Sequence, residues 1–201
     1  MKNLLAAITL IASSLTFAFA PITPQENEKL LRGEAIQYVE WKEGYVWPQV
    51  SMRVLLDHKP KENMDIFMQF ETHKDYIPDV IDSKVVKKIS PTNLHVELSM
   101  AMPWPVNKST QVTNNVLTKG EDGSYTLTWN LIKAKFVKST DGHCTFSPYQ
   151  GKTLMEYVTF IVPNSSFAGM FKGRVAGDVE KSVKAIANHL DKVLDEKKKG
   201  L

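Results

Sequence analysis

The chain has 201 residues, of which 43% are hydrophobic and 23% charged. That composition excludes a disordered chain and fits one domain, or one domain with an extension. The net charge of +3, part of it in Lys197-Lys198-Lys199, is too small and too little clustered to indicate nucleic acid.

The first twenty residues read as an export signal. Lys2 gives a basic start, an apolar run spans Leu4 to Leu15, and Ala18-Phe19-Ala20 forms an A-x-A cleavage site before Pro21. The run is short for a membrane span, and no cysteine follows the site to take a lipid anchor. The expectation is a mature chain beginning near Pro21, periplasmic or secreted, without a stable membrane anchor. Cys144 is the only cysteine, so an internal disulfide is excluded and the core must supply stability.

Residues 25–33 predict a short helix stopped by Gly33. The alternation over 34–41 predicts a strand. A second covers 45–56, with Val50, Met52, Val54 and Leu56 on one face, and the two form a hairpin. Two short helical segments follow at 61–70 and 71–80. Period two returns at 82–89 and at Leu94, Val96, Leu98, Met100 and Met102, separated by the turn Ser90-Pro91-Thr92-Asn93. Met102-Pro103-Trp104-Pro105-Val106 interrupts the ladder, because proline lacks the N–H a strand donates. Strands are expected at 110–119, at 125–131 (extended by 135–138), at 143–149 and at 152–162. Gly120-Glu121-Asp122-Gly123 and Ser139-Thr140-Asp141-Gly142 read as turns.

From Pro163 to about Glu196 the apolar residues recur at helical spacing, and 197–201 is a basic tail. A helix of that length spans about 45 Å and needs a large apolar partner. Gly169, Gly173 and Gly177 share one face of it. They imply either a close backbone approach or room left open. Consecutive strands with tight turns make an antiparallel sheet with one apolar face to bury, and one long helix laid across it gives an α+β layer fold.

Four stretches resemble the START-like superfamily, also called the helix-grip or birch-pollen-allergen-like fold, and within it the polyketide cyclase/dehydrase and lipid-transport branch. They are Arg32-Gly33-Glu34, Tyr76-Ile77-Pro78, the Pro-Trp-Pro stretch around Trp104, and Leu154-Met155-Glu156-Tyr157-Val158 running into the final helix. Related sequences follow the Pro-Trp-Pro stretch with Arg-Asp, whereas this chain has Asn107-Lys108. The resemblance covers roughly 31–195 and places a START-like domain at 21–196. It implies a sheet of about seven strands gripping the C-terminal helix, with an internal cavity for an apolar ligand such as a lipid.

Candidate ligand-binding residues are Met52, Met100, Met102, Trp104, Trp129, Glu156, Val158, Met170 and Gly173. Methionine suits surfaces that accept variable apolar partners, although the same residues also fill cores. Trp104 reads as a guard at the mouth or as a plug over a sheet edge. Glu156 is the candidate polar group inside the cavity, while Arg53 and Glu97 are out of phase with their apolar neighbours and expected at the surface. No nucleophile elbow or metal signature is present. Glu71, His73, Asp75 and Asp57-His58 read as exposed polar patches, and Cys144 as a buried core cysteine. No catalytic residue and no cofactor is assigned. The alternatives are a cyclase or aromatase that uses the same cavity and an interaction module whose cavity is filled. Ligand identity and oligomeric state are not encoded in any motif.

Overall fold

The computed structural model of the protein describes residues 19–104 and 106–200. The expected export signal therefore lies outside the described residues except for Phe19 and Ala20. Eight strands, one more than expected, form a single antiparallel sheet. They are β1 (Ile36–Glu40), β2 (Gln49–Leu56), β3 (Val80–Ser90), β4 (Asn93–Ala101), β5 (Lys108–Lys119), β6 (Tyr125–Ala134), β7 (Val137–Tyr149) and β8 (Lys152–Pro163). Their order across the sheet is β1-β2-β8-β7-β6-β5-β4-β3. Helix α1 (Pro24–Leu31) precedes β1. Helices α2 (Pro60–Phe67) and α3 (His73–Tyr76) lie between β2 and β3, and α4 (Val175–Lys198) closes the fold.

Local chemistry sets these boundaries. Thr23 and Glu26 form a reciprocal capping box, and Pro24 takes the first position of α1, where an N–H is not needed. Gln150 and Gly151 both adopt positive φ, 47° and 80°, in the two-residue turn that joins β7 to β8. The concave face of the sheet carries the main apolar core. Val50, Met52 and Leu56 of β2, Met155 of β8, Phe146 of β7 and Leu127 of β6 are all essentially buried. Val183, Ile186, Leu190 and Leu194 of α4 complete that core together with Met64 and Phe67 of α2. Each such side chain contributes about 1.5–3 kcal/mol by leaving water.

Two sequence expectations fail for identifiable reasons. The residues after Pro163 do not enter a helix directly. Pro163 still pairs with Val137 as the last residue of β8, a short 3-10 turn spans Ala168–Phe171, and α4 begins only at Val175. Gly169 and Gly173 fall before the helix, and helix-lowering glycines at that spacing explain the late start. A Cβ at Gly169, Gly173 or Gly177 would meet nothing within 4 Å, so no close approach of backbone requires them. Ser139-Thr140-Asp141-Gly142, expected as a turn, lies inside β7.

The convex face holds the largest correction. Arg53 is 3% exposed, not at the surface. Its Nε donates to Glu156 Oε1 at 2.9 Å and its Nη1 to the Tyr38 hydroxyl at 3.2 Å. Nη2 donates to the Ala20 carbonyl, and the Phe19 ring lies 4.6 Å from the guanidinium. Glu26 stands 3.9 Å from Nη1 and accepts from Tyr38, which holds its carboxyl below the ordinary range. Cleavage after Ala20 would leave Arg53 with Glu156, Tyr38 and Glu26. Glu156→Gln is expected to cost about 1.5–3 kcal/mol in urea unfolding, because it strips a charged hydrogen bond from a buried cation. The double variant Arg53→Met, Glu156→Leu should recover most of that loss.

His73 and His58 are also buried, against expectation. The Nε2 of His73 meets the Phe67 carbonyl at 2.8 Å, and its ring packs on Phe67, Phe70 and Tyr76. Burial holds His73, His143 and His189 below the usual histidine range. Below the unfolded value of about 6.5 the unfolded chain binds protons that the folded chain resists. Stability is therefore expected to fall between about pH 7.5 and about pH 5.5, and His73→Gln should make the fall shallower in urea titrations at both ends.

Candidate functional site

Helix α4 covers the concave face unevenly. Val183 and Leu190 have no exposed surface and Ile186 is 2% exposed, whereas Val175, Ala176 and Val179 in the first turns are only partly buried. The helix makes its main contacts with β2, α2 and α3. The concave side chains of the opposite half of the sheet, Leu98 and Met100 of β4 with Trp129 and Leu131 of β6, stay half-buried. The concave face is thus least covered in the strip between the start of α4 and β4–β6, a shallow trough.

The register builds the floor of the trough. Trp129 pairs with Gly142 on one side and Asn115 on the other, and Gly142 pairs with Thr159. A Cβ at Gly142 would sit 2.5 Å from the Trp129 ring and 2.3 Å from the Val158 carbonyl oxygen. Only glycine lets the indole lie flat across β7, which is why the Ser-Thr-Asp-Gly sequence sits in a strand. Tyr157 tilts against Trp129 at 5.3 Å between ring centroids. Burial pushes the hydroxyls of Tyr157 and Tyr76 well above the ordinary tyrosine range, so both stay protonated. Buried Asn115 donates to the Thr113 carbonyl at 3.2 Å and to its hydroxyl at 2.9 Å, so this polar pair is satisfied within the floor. Cys144 is fully buried and its thiol is pushed upward by burial, which removes nucleophilic character.

Two side chains that the sequence did not single out moor the roof. Trp47 Nε1 donates to the Ala168 carbonyl at 2.9 Å, and Gln37 Nε2 donates to the Ala176 carbonyl at 2.8 Å. Both reach from the β1 side of the sheet to backbone carbonyls at the entry to α4. The signal for Trp47 was a tryptophan beside Pro48 in a loop; nothing marked Gln37.

The candidate residues divide between faces. Met52 is buried in the core, and Met100 and Trp129 line the trough. Met102 is half-buried where β4 ends. Glu156 and Val158 alternate with Met155 and Tyr157 and face the convex side, Glu156 bound to Arg53, so neither enters the trough. Met170 is 67% exposed and Gly173 is exposed, both outside the trough. Trp104 is 77% exposed at the tip between β4 and β5, which are interior strands, so it plugs no sheet edge. Two clefts of about 280 and 320 Å³ lie elsewhere, beside His58 and Leu194 and beside Val112 and Lys133. No group of three or more metal-ligating side chains is placed to hold an ion among the described residues.

The chain has the START-like helix-grip fold. A fragment of a STAR-related lipid transfer protein from Xanthomonas axonopodis matches with a TM-score of 0.70 at 19% identity, over 78% of this chain and 93% of that one. Human STARD10 matches at 0.58 and 14% identity, over 76% and 69% of the two chains. The Zhui aromatase/cyclase from Streptomyces sp. R1128 matches at 0.58 and 12%, over 74% and 93%. No protein-family model and no curated protein matches the sequence.

Gly142→Ala is expected to displace Trp129 and to lower stability by about 1–3 kcal/mol through overpacking. The check is a shift in tryptophan emission that is absent when the same change is made in a Trp129→Phe background.

Proposed function

We propose that this protein binds a hydrophobic small molecule, of which a lipid is the leading class, in the trough between the concave sheet face and the start of α4. The observation that carries the reading is the uneven cover. Leu98, Met100, Trp129 and Leu131 form apolar patches, with the polar Gln111, Thr113 and Asn115 of β5 between them, that the protein's own helix leaves partly exposed, and apolar surface of this kind gains about 25 cal/mol for each Å² withdrawn from water. The fold shared with a STAR-related lipid transfer protein supports the same reading. The buried hydroxyls of Tyr76 and Ser83 have no hydrogen-bond partner among the described residues, and Ser83 stands opposite Leu98 in the sheet. A ligand oxygen would satisfy such a donor, so an apolar body with at least one acceptor fits better than a pure hydrocarbon. The export signal read at 1–20 adds that the ligand is carried outside the cytoplasm.

An enzyme of the cyclase type would need convergent ionisable groups in the trough. Glu156, the carboxylate nominated for that work, is held on the other face by Arg53, so binding is the stronger reading.

Titration with an environment-sensitive fluorescent fatty acid tests the proposal. Saturable enhancement is expected from the wild type. Ala176→Phe, which fills the roof above the floor, should weaken it by about tenfold or more, a loss of about 1.4 kcal/mol. Thr128→Phe on the convex face should not. Equal enhancement from both variants, with circular dichroism showing both folded, would remove the trough as the binding site.

A further inference from the structure

The strands alternate in direction, so the topology sorts their connections into two ends. One end collects the β1–β2 loop, the β4–β5 loop, the β6–β7 turn and the segment between β8 and α4. The other collects the links from β2 to α2, β3 to β4, β5 to β6 and β7 to β8.

Among the described residues, large exposed hydrophobic side chains are concentrated at the first end. Nine of the twelve are there, including all four aromatics: Trp41, Tyr45, Trp104 and Phe167. The remaining three are Leu31, Val86 and Ile89. The placement is built rather than incidental. The Met102 N–H donates to the Asn107 carbonyl at 2.8 Å, and Asn107 adopts a φ of 59°. This closes a tight loop that holds Trp104 outward, 77% exposed. On the segment that leads into α4, Met170 is 67% exposed just after Phe167, on backbone held by Trp47.

The same end carries Lys108, Lys133, Lys135, Lys138, Lys172 and Arg174, all exposed. Its carboxylates are Glu40, Glu43, Asp79, Asp82 and Asp178, the last 3.8 Å from Arg174, and Glu97 shares a cleft with Lys133 and Lys135. The opposite end is basic too, with Asp57, Glu121 and Asp122 against Lys59, Lys87, Lys88, Lys119 and Lys152, so what sets the first end apart is its exposed aromatics. The lysines that finish α4 lie there too, but without exposed aromatics beside them. A monomer rarely leaves so many large apolar side chains in one place without a partner. Tryptophan and tyrosine on loop tips beside lysines match the interfacial layer of a bilayer, where rings sit among headgroups and cations meet anionic lipid.

We propose that this end of the protein docks reversibly on an anionic lipid bilayer, with Trp104 and Phe167 entering the headgroup layer and the lysines facing lipid phosphates. No described helix is long and apolar enough to cross a membrane, so the contact is peripheral. Docking would bring the segment that leads into α4, beside the trough, against the bilayer. It extends the ligand reading above, yet vesicle binding is measured without reference to what the trough holds.

The test is co-sedimentation of the mature chain with phosphatidylcholine vesicles, with and without phosphatidylglycerol. Binding is expected to the anionic vesicles, with a blue shift of tryptophan emission, and should weaken at about 0.5 M salt, where the Debye length is only a few ångström. Trp104→Ser with Phe167→Ser should reduce binding by about tenfold, as should Lys133→Glu with Lys135→Glu. Leu31→Ser, at the other end, should leave it unchanged. These sites are exposed, and a thermal melt confirms that each variant is folded. Absence of binding to anionic vesicles overturns the proposal, as does binding that all four substitutions leave intact. Retention on an acidic protein resin without vesicle binding would assign the surface to a protein partner and overturn it equally. If vesicles fail while the fatty-acid titration still saturates, docking falls and the ligand reading stands.

Discussion

Everything in this fold depends on how far one helical stripe reaches across one curved sheet. The sheet presents eight strands' worth of apolar face, and α4 supplies 24 residues to cover it. The apolar residues of the second part of the helix, Val183, Ile186, Leu190 and Leu194, are buried against β2 and α2. Those of the first turns are not. The backbone before them is spent on a 3-10 turn and on glycines, and the helix arrives over the sheet too late to close it. What is left is a partly exposed floor under a roof held by two hydrogen bonds, from Trp47 and Gln37.

The convex face solves a separate problem. A buried guanidinium is costly unless every donor finds an acceptor, and Arg53 finds Glu156, Tyr38 and the Ala20 carbonyl. This network ties α1, β1, β2 and β8 together on the side away from the trough. It fixes the strands that carry the well-covered half of the core, while β3–β6 are linked on the same face by the smaller pairs Lys84–Glu97, Ser99–Thr110 and Asn114–Asn130. The Arg53 network and the proposed binding surface therefore lie on opposite faces of the same sheet.

Much of this was legible from residue spacing. The alternation of Leu94, Val96, Leu98 and Met100 identified a strand and its inward face, and Gly33 marked a stop just after α1. Failures came where a residue had two physical uses. Gly142 was read as a turn former, but its use is to admit the Trp129 ring, a long-range contact invisible in local sequence. Arg53 and Glu156 were read singly. One was sent to solvent and the other to the cavity, because their pairing links strands that are 103 residues apart. His73 looked exposed among charged neighbours, yet a four-residue helix turns its ring onto Phe67 and Phe70. Of the nominated site residues, Met100 and Trp129 stand in the trough, whereas Glu156, Val158 and Met170 do not.

The central claim is that the half-covered floor is a place for another molecule. Native mass spectrometry of the protein purified without detergent examines this most directly. The account predicts a population heavier than the bare chain by the mass of a lipid, released on collision and identified as an apolar molecule with an oxygen-bearing end. A single bare mass from every preparation, unchanged after incubation with lipid extract, would contradict it.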